Sequence, residues 1–184
     1  MAFDARAFLT KQFDFSDKTF GPGQRSEGVL AHIAKELLEI EQDPFDRVEW
    51  IDVVLLANDG TRRAGHSLDA MLEQWPGGPL VDWEITLNQR FDEAAQGEGS
   101  NGSPLEVLPL IRANMERVRQ DPSDLEAWLN ITALAFEGGR RTGASAAELL
   151  ETLAAKFARN QSRVWPDWRG RPVDRPIEHD RSHD

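Results

Sequence analysis

The feature that most limits how this chain can fold is a self-similarity at a spacing of 78 residues. Slid by that amount, Leu9, Phe13 and Asp14 fall on Leu87, Phe91 and Asp92, and Val29, Leu30 and Ile33 fall on Val107, Leu108 and Ile111. Gln42, Asp43, Pro44, Asp46 and Trp50 fall on Gln120, Asp121, Pro122, Asp124 and Trp128. Ala57, Gly60, Arg62, Arg63, Gly65, Ser67 and Glu73 fall on Ala135, Gly138, Arg140, Arg141, Gly143, Ser145 and Glu151, with no gap anywhere. Four clusters in one register read as a tandem duplication. The first unit covers 1–78, its repeated part starting near residue 5, and the second covers 79–156, its repeated part starting near residue 83. A tail at 157–184 includes the end of the last helix. The run from Trp75 to Pro79 joins the copies, and Gly97 to Ser103 is a polar, glycine-rich loop inside the second.

Each copy reads as helices. Positions 29, 33, 36 and 40, with 30 and 37, trace an apolar stripe of helical period. Asp43 is expected as the N-cap of the next helix, with Pro44 in its first turn and Asp46 near its positive end. That helix is expected to run through Val53–Ala57 and to stop near Gly60. Ser67 caps a third helix, and Ser145 with Glu148 spells a capping box for the last one, which ends before Pro166. Val53-Val54 and Ile131-Thr132 have some strand character, but their segments are too long and too well capped for it, and no βαβ alternation appears. The expectation is an all-α fold: two helical hairpins packed as a four-helix-type bundle with an internal pseudo-two-fold, a pseudo-dimer.

Glu36 and Glu39 are three residues apart on one helix face, and Glu36 sits on the apolar stripe. Glu49 and Asp52 repeat the spacing on the next helix, with Asp52 inside the run Trp50–Ala57. One such pair alone usually marks a solvated face. Two pairs on adjacent helices, both turned inward, put four repelling carboxylates together, and hard divalent cations answer that repulsion. The duplication supplies a control. The counterparts of the four acids are Asn114, Arg117, Ala127 and Asn130, so every acid is gone while Pro122, Trp128, Gly138 and Gly143 stay. The first copy therefore reads as the catalytic one and the second as degenerate. The net charge of −11 argues against nucleic-acid and anionic-membrane partners, while an anionic nucleotide remains a possible ligand if cations lie between. No segment has the length to span a bilayer, no leader pattern opens the chain, and no cysteine is present, so a cytoplasmic protein is expected.

The Glu-x-x-Glu and Glu-x-x-Asp pairs resemble the metal motif of the MazG-like all-α nucleoside triphosphate pyrophosphohydrolases. Further segments resemble the phage and bacterial dATP/dGTP diphosphohydrolases: Phe20 to Arg25, His32 to Ile40, Asn58 to Gly60 with Arg63 to Gly65, Lys156 with Asn160 to Arg169, and Ile177 to His179. The resemblance implies cleavage of a purine dNTP to its monophosphate and pyrophosphate, with Mg²⁺ (or Mn²⁺ in its place) held by Glu36, Glu39, Glu49 and Asp52. It also implies a nucleotide-pool role in a bacterial or phage-infected cell. The chain departs from the family in carrying the second copy between the Gly65 region and the tail. It resembles a dimer of such chains fused end to end, able to stand alone or to pair again. Lys35 stands where the wider group often has another glutamate.

Lys156, Asn160 and Arg163 share one helix face, which suits phosphate and sugar or base contacts and equally a solvated surface. Trp165 and Trp168 offer stacking surfaces for a purine, or core packing for the tail. Lys35 is placed beside the acids as a further substrate contact. Asp167 is a candidate acceptor for the guanine N1–H and 2-amino group, which with Asn160 favours dGTP over dATP. His32, His66, His179 and His183 have no metal-ligand spacing. The readings left beside the hydrolase are a non-catalytic helical module and a phosphatase releasing inorganic phosphate.

Overall fold

The computed structural model describes residues 3–76, 80, 82–96 and 102–178, apart from the side chains of 95 and 96. Parts of the joint and of the glycine-rich loop, as well as His179 and His183, lie outside those residues. Among the described residues every regular element is helical. In chain order they are α1 (Ala5–Phe20), α2 (Ser26–Gln42), α3 (Arg47–Arg63), α4 (Leu68–Glu73), α5 (Trp83–Gln96), α6 (Leu108–Gln120), α7 (Leu125–Arg141) and α8 (Ala146–Ser162). Short 3-10 turns lie at Pro104–Val107 and Trp168–Gly170. Starts recur at the repeat spacing: Ala5 with Trp83, Ser26 with Pro104, Arg47 with Leu125, Leu68 with Ala146. The all-α duplicated architecture read from the sequence is the one the chain adopts. No helix among the described residues is long and apolar enough to cross a membrane.

At the centre α3 packs on α7, with α2 beside α3, α6 beside α7, and α2 touching α6, which together make the four-helix bundle. Trp50 and Trp128 are fully buried there. Each ring lies on a glycine of the opposite copy. A Cβ on Gly138 would stand 2.5 Å from Cη2 of Trp50, and one on Gly60 would stand 2.7 Å from Cε3 of Trp128. Each indole N–H donates to a carbonyl of its own copy, Trp50 to Pro44 at 3.0 Å and Trp128 to Pro122 at 3.1 Å. A contact that residue i of one half makes with residue j of the other, and j with i, is the mark of a two-fold interface.

Two local expectations are corrected. The N-cap of α3 is Asp46, whose carboxylate accepts from the Val48 N–H at 2.8 Å, while Asp43 accepts from the Phe45 N–H at 3.2 Å. Asp43 thus closes an Asx-type turn around Pro44 and leaves the cap to the next aspartate. The second copy does the same with Asp124 and Asp121. Nor does α3 stop at Gly60. It continues to Arg63, and α7 to Arg141, because the glycine is needed for close packing in mid-helix. The stop comes at Gly65 (φ 93°) and Gly143 (φ 94°), in the left-handed region open to glycine. Ser67 caps α4, and Ser145 with Glu148 forms the full capping box of α8.

Candidate functional site

The stripe of α2 is sealed by Ile33, Leu37 and Ile40, none of them exposed, and Glu36 sits among them at 5% exposure. Packing α2 against α3 brings Glu36 to Glu49 and Asp52. One carboxylate oxygen from each of these three lies within 4.8 Å of the others. Glu39, one turn further along α2, stands at the edge of the same cleft with its side chain 37% exposed.

The local charges follow from this geometry. Burial raises the Glu49 pKa, Asp52, Glu36 and Glu39 push it further, and it reaches about 8. Burial also raises Asp52, to about 6, against the pull of Lys156, whose Nζ lies 2.5 Å from its Oδ2. Burial would raise Glu36 too, but hydrogen bonds from His32 and Glu49 and the charges of His32 and Lys35 outweigh it, so its pKa is lowered. His32 Nε2 lies 3.0 Å from Glu36 Oε1. Glu36 and Glu49 thus hydrogen-bond to each other and titrate as a pair, Glu36 held down and Glu49 held up. Three converging carboxylate oxygens, unable all to ionise unaided, fit a hard divalent ion.

The cluster forms one end of a cleft of about 450 Å³. Helix α8 crosses from the second copy to lie on α3 and brings Lys156, Phe157 and Asn160 into the wall. Arg163 and Trp165 follow directly after it. Arg163 Nη1 donates to Asn160 Oδ1 at 3.0 Å, and Trp165 Nε1 donates to the Asn160 carbonyl at 2.8 Å. Trp165 meets Phe20 edge-on at 4.8 Å, and Phe15 meets Phe157 edge-on at 5.6 Å, forming an aromatic side to the cleft. The tail then returns over the first copy of its own chain. Arg25 donates to the carbonyls of Pro172 and Trp168, and Arg175 to Glu178 line the cleft mouth.

The structure therefore brings Glu36, Glu39, Glu49, Asp52, Lys156, Asn160, Arg163 and Trp165 to one cleft. Lys35 stands at its rim, 3.1 Å from Glu178 and 3.9 Å from Glu39. Asp167 and Trp168 are not brought in. They line a separate shallow groove beyond Trp165. Asp167 caps the turn after it by accepting from the Arg169 N–H and pairs with the Arg169 side chain, while the Trp168 ring covers Gly21, where a Cβ would stand 2.6 Å from its Cε2. The local cap won over the site, since a short 3-10 turn needs an acceptor at its start.

Sequence reasoning missed a polar wall of the cleft adjoining Phe20: Gln12 and Ser16 of α1 with Asp59 and Arg63 of α3. Arg63 donates to Asp59 at 2.7 Å, to Ser16 Oγ at 2.8 Å and to the carbonyls of Gly21 and Gly23, and Ser16 donates to Asp59. Gln12 donates to the Leu55 carbonyl at 2.8 Å and accepts from Asn58 at 3.3 Å. The signal was present in the spacing of Asp52, Asp59 and Arg63, which share one face of α3.

The profile of the dATP/dGTP pyrophosphohydrolase family matches two stretches, residues 8–75 and 89–184, which together cover most of the chain. No curated protein and no solved structure gave a match. With the carboxylate cluster, the cleft and the duplicated helical fold in view, the chain belongs to the dATP/dGTP pyrophosphohydrolase family and is a nucleoside triphosphate pyrophosphohydrolase.

Proposed function

We propose that this protein hydrolyses dATP and dGTP to the monophosphate and pyrophosphate with Mg²⁺ (Mn²⁺ substituting), using one site per chain. The observation that carries the reading is the set of Glu36, Glu49 and Asp52 oxygens within 4.8 Å of one another at one end of a cleft that also holds Lys156 and Arg163. In this reading residues 1–78 carry the chemistry, 79–156 support it, and 157–184, with the end of α8, complete the nucleotide site. The aromatic side receives the base and the carboxylate end the triphosphate. Asp167 is bonded to Arg169 and is not among the residues lining the cleft, so the dGTP preference expected from it loses its basis and both purines are proposed as substrates.

Glu36, Glu49 and Asp52, with Glu39 at the edge, would hold the divalent ion, which when bound neutralises phosphate charge and acidifies water. In this reading Glu39, which stands outside the tight cluster, would hold the attacking water and take its proton. The water oxygen bonds to the α-phosphorus and stays in the monophosphate, while the bond from that phosphorus to the α–β bridging oxygen breaks and the bridging oxygen leaves in pyrophosphate. Lys156 and Arg163 offset the negative charge that builds on the phosphates. The test is incubation with each of the four dNTPs plus Mg²⁺, Mn²⁺ or a chelator, with products separated. Pyrophosphate and monophosphate from the purine dNTPs, lost on chelation, are expected. Orthophosphate as the product, or no turnover of any dNTP, would sink the reading.

A further inference from the structure

Asp52 and Asp59 are seven residues apart on α3, two turns on one face and about 10 Å along the axis. Between them the cleft is lined by Leu55 and Leu56, and α1 adds Gln12, bonded to the Leu55 carbonyl, and Ser16, bonded to Asp59. With the phosphates at Asp52, a nucleotide lying along α3 directs its base toward Ser16 and Asp59, beside Phe20 and Trp165. Resting on the nucleotide reading above, we propose that Gln12, Ser16 and Asp59, braced by Arg63, form the edge-reading wall that selects a purine.

The repeat separates scaffold from function in this wall. The acid–arginine pair has a counterpart at the same register in the second copy, where Glu137 accepts from Arg141 at 2.7 Å. Asp59–Arg63 therefore belongs partly to the fold. Its polar neighbours do not recur. Gln12, Ser16 and Asn58 correspond to Arg90, Ala94 and Phe136. The hydrogen-bonding groups added in the first copy thus accompany the metal acids that are present only there. Gln12 (4% exposed) and Ser16 (2% exposed) are buried at the cleft wall, the setting in which a hydrogen bond discriminates most.

The chemistry also suits two purines. Adenine presents a donor at position 6 and an acceptor at position 1, and guanine presents them in reverse, with a further donor at position 2. Ser16 and Gln12 now bond Asp59, Leu55 and Asn58, and a base edge would exchange with those partners, the hydroxyl turning between donor and acceptor and the carboxamide offering both. Asp59 accepts from the exocyclic amine of either base. A wall of this composition can satisfy both edges. A pyrimidine, one ring shorter, stops short of it when its phosphates are at Asp52.

The test is Ser16→Ala, a change that the second copy already carries as Ala94 within the same fold. Steady-state kinetics on dATP, dGTP, dCTP and dUTP should show kcat/KM falling about tenfold for the purines, the scale of one neutral hydrogen bond, with little change in residual pyrimidine turnover. Gln12→Glu, which keeps size but removes the amide donor, should change the dATP to dGTP ratio. A merely structural role would lower all four substrates alike. That outcome, or four unchanged values, overturns the wall as a base reader while leaving the hydrolase reading intact. A wild-type protein inactive on all four dNTPs overturns the hydrolase reading itself.

Discussion

The Trp–Gly interlock makes a paired prediction, Gly138→Ala against Gly60→Ala. In either variant the new Cβ overlaps the opposite indole, with three ring carbons all within 2.7 Å where ordinary packing would hold them about 3.5–4 Å away, so a buried indole and its helix must shift by more than about 1 Å. Overpacking of this kind costs about 1–3 kcal/mol, against which alanine returns up to about 1 kcal/mol of helix propensity. The net is a loss of about 1–2 kcal/mol, or roughly 2–8 °C in Tm for a chain of this length. The two stability losses should match, because the contacts are related by the pseudo-two-fold. The losses of function should not. Gly138→Ala pushes Trp50, the neighbour of Glu49 and two residues before Asp52, whereas Gly60→Ala pushes Trp128, which is flanked by Ala127 and Leu129. Thermal denaturation without metal gives the first comparison, and Mg²⁺ titration of pyrophosphate release gives the second. Gly138→Ala is expected to raise the metal concentration for half-activity several-fold more than Gly60→Ala. Unchanged stability in either variant, or equal damage to metal use by both, refutes the reasoning.

Asp52→Asn should abolish metal-dependent pyrophosphate release, while Asn130→Ala at the matching position of the second copy should leave most of it; both are read by product analysis. The raised pKa values of Glu49 (to about 8) and Asp52 (to about 6) mean that the folded state holds protons that the unfolded chain has lost. Their stabilising share is present below the unfolded carboxyl range, near pH 4, and is lost as pH rises toward 8, so metal-free Tm should fall over that window and Glu49→Gln should flatten the fall. Mg²⁺ binding at neutral pH should release protons as Glu49 ionises, an effect measurable by calorimetry in buffers of different ionisation enthalpy. Lys156→Met removes the cation 2.5 Å from Asp52 and should lower kcat on the order of a hundredfold, measured at saturating metal.

The duplication, the all-α class and the meeting of Glu36, Glu49 and Asp52, though not the inclusion of Glu39 in their cluster, were legible because each rests on periodicity or register that the chain displays directly. A run such as 29-33-36-40 fixes which way Glu36 faces, and two such runs on neighbouring helices fix that the acids meet. What was not legible depended on competition between equivalent groups. Asp43 and Asp46 are both good caps, and only the turn at Pro44 decides between them. Gly60 has the look of a helix stop, and its use as a seat for Trp128 is a contact about seventy residues away in sequence that no local rule reports. Asp167 and Trp168 lie near the cleft along the chain, but the turn they begin carries them past Trp165. The polar wall of Gln12, Ser16 and Asp59 is shared between two helices, and its parts become one site only when α1 packs on α3.

The reciprocal seating of Trp50 on Gly138 and Trp128 on Gly60 has a consequence for how such a molecule can change. In a pair of identical chains every substitution is made twice, so each one must be tolerated on both sides of the axis at once. Arg117 illustrates the constraint. At the register of Glu39, it pairs with Asp124 and Glu126, and in a symmetric pair the same arginine would also replace the glutamate at the acid cluster. Joining the halves in one chain frees the positions on either side of the axis from one another while keeping the interlock. A codon altered in α6 or α7 is no longer a codon altered in α2 or α3.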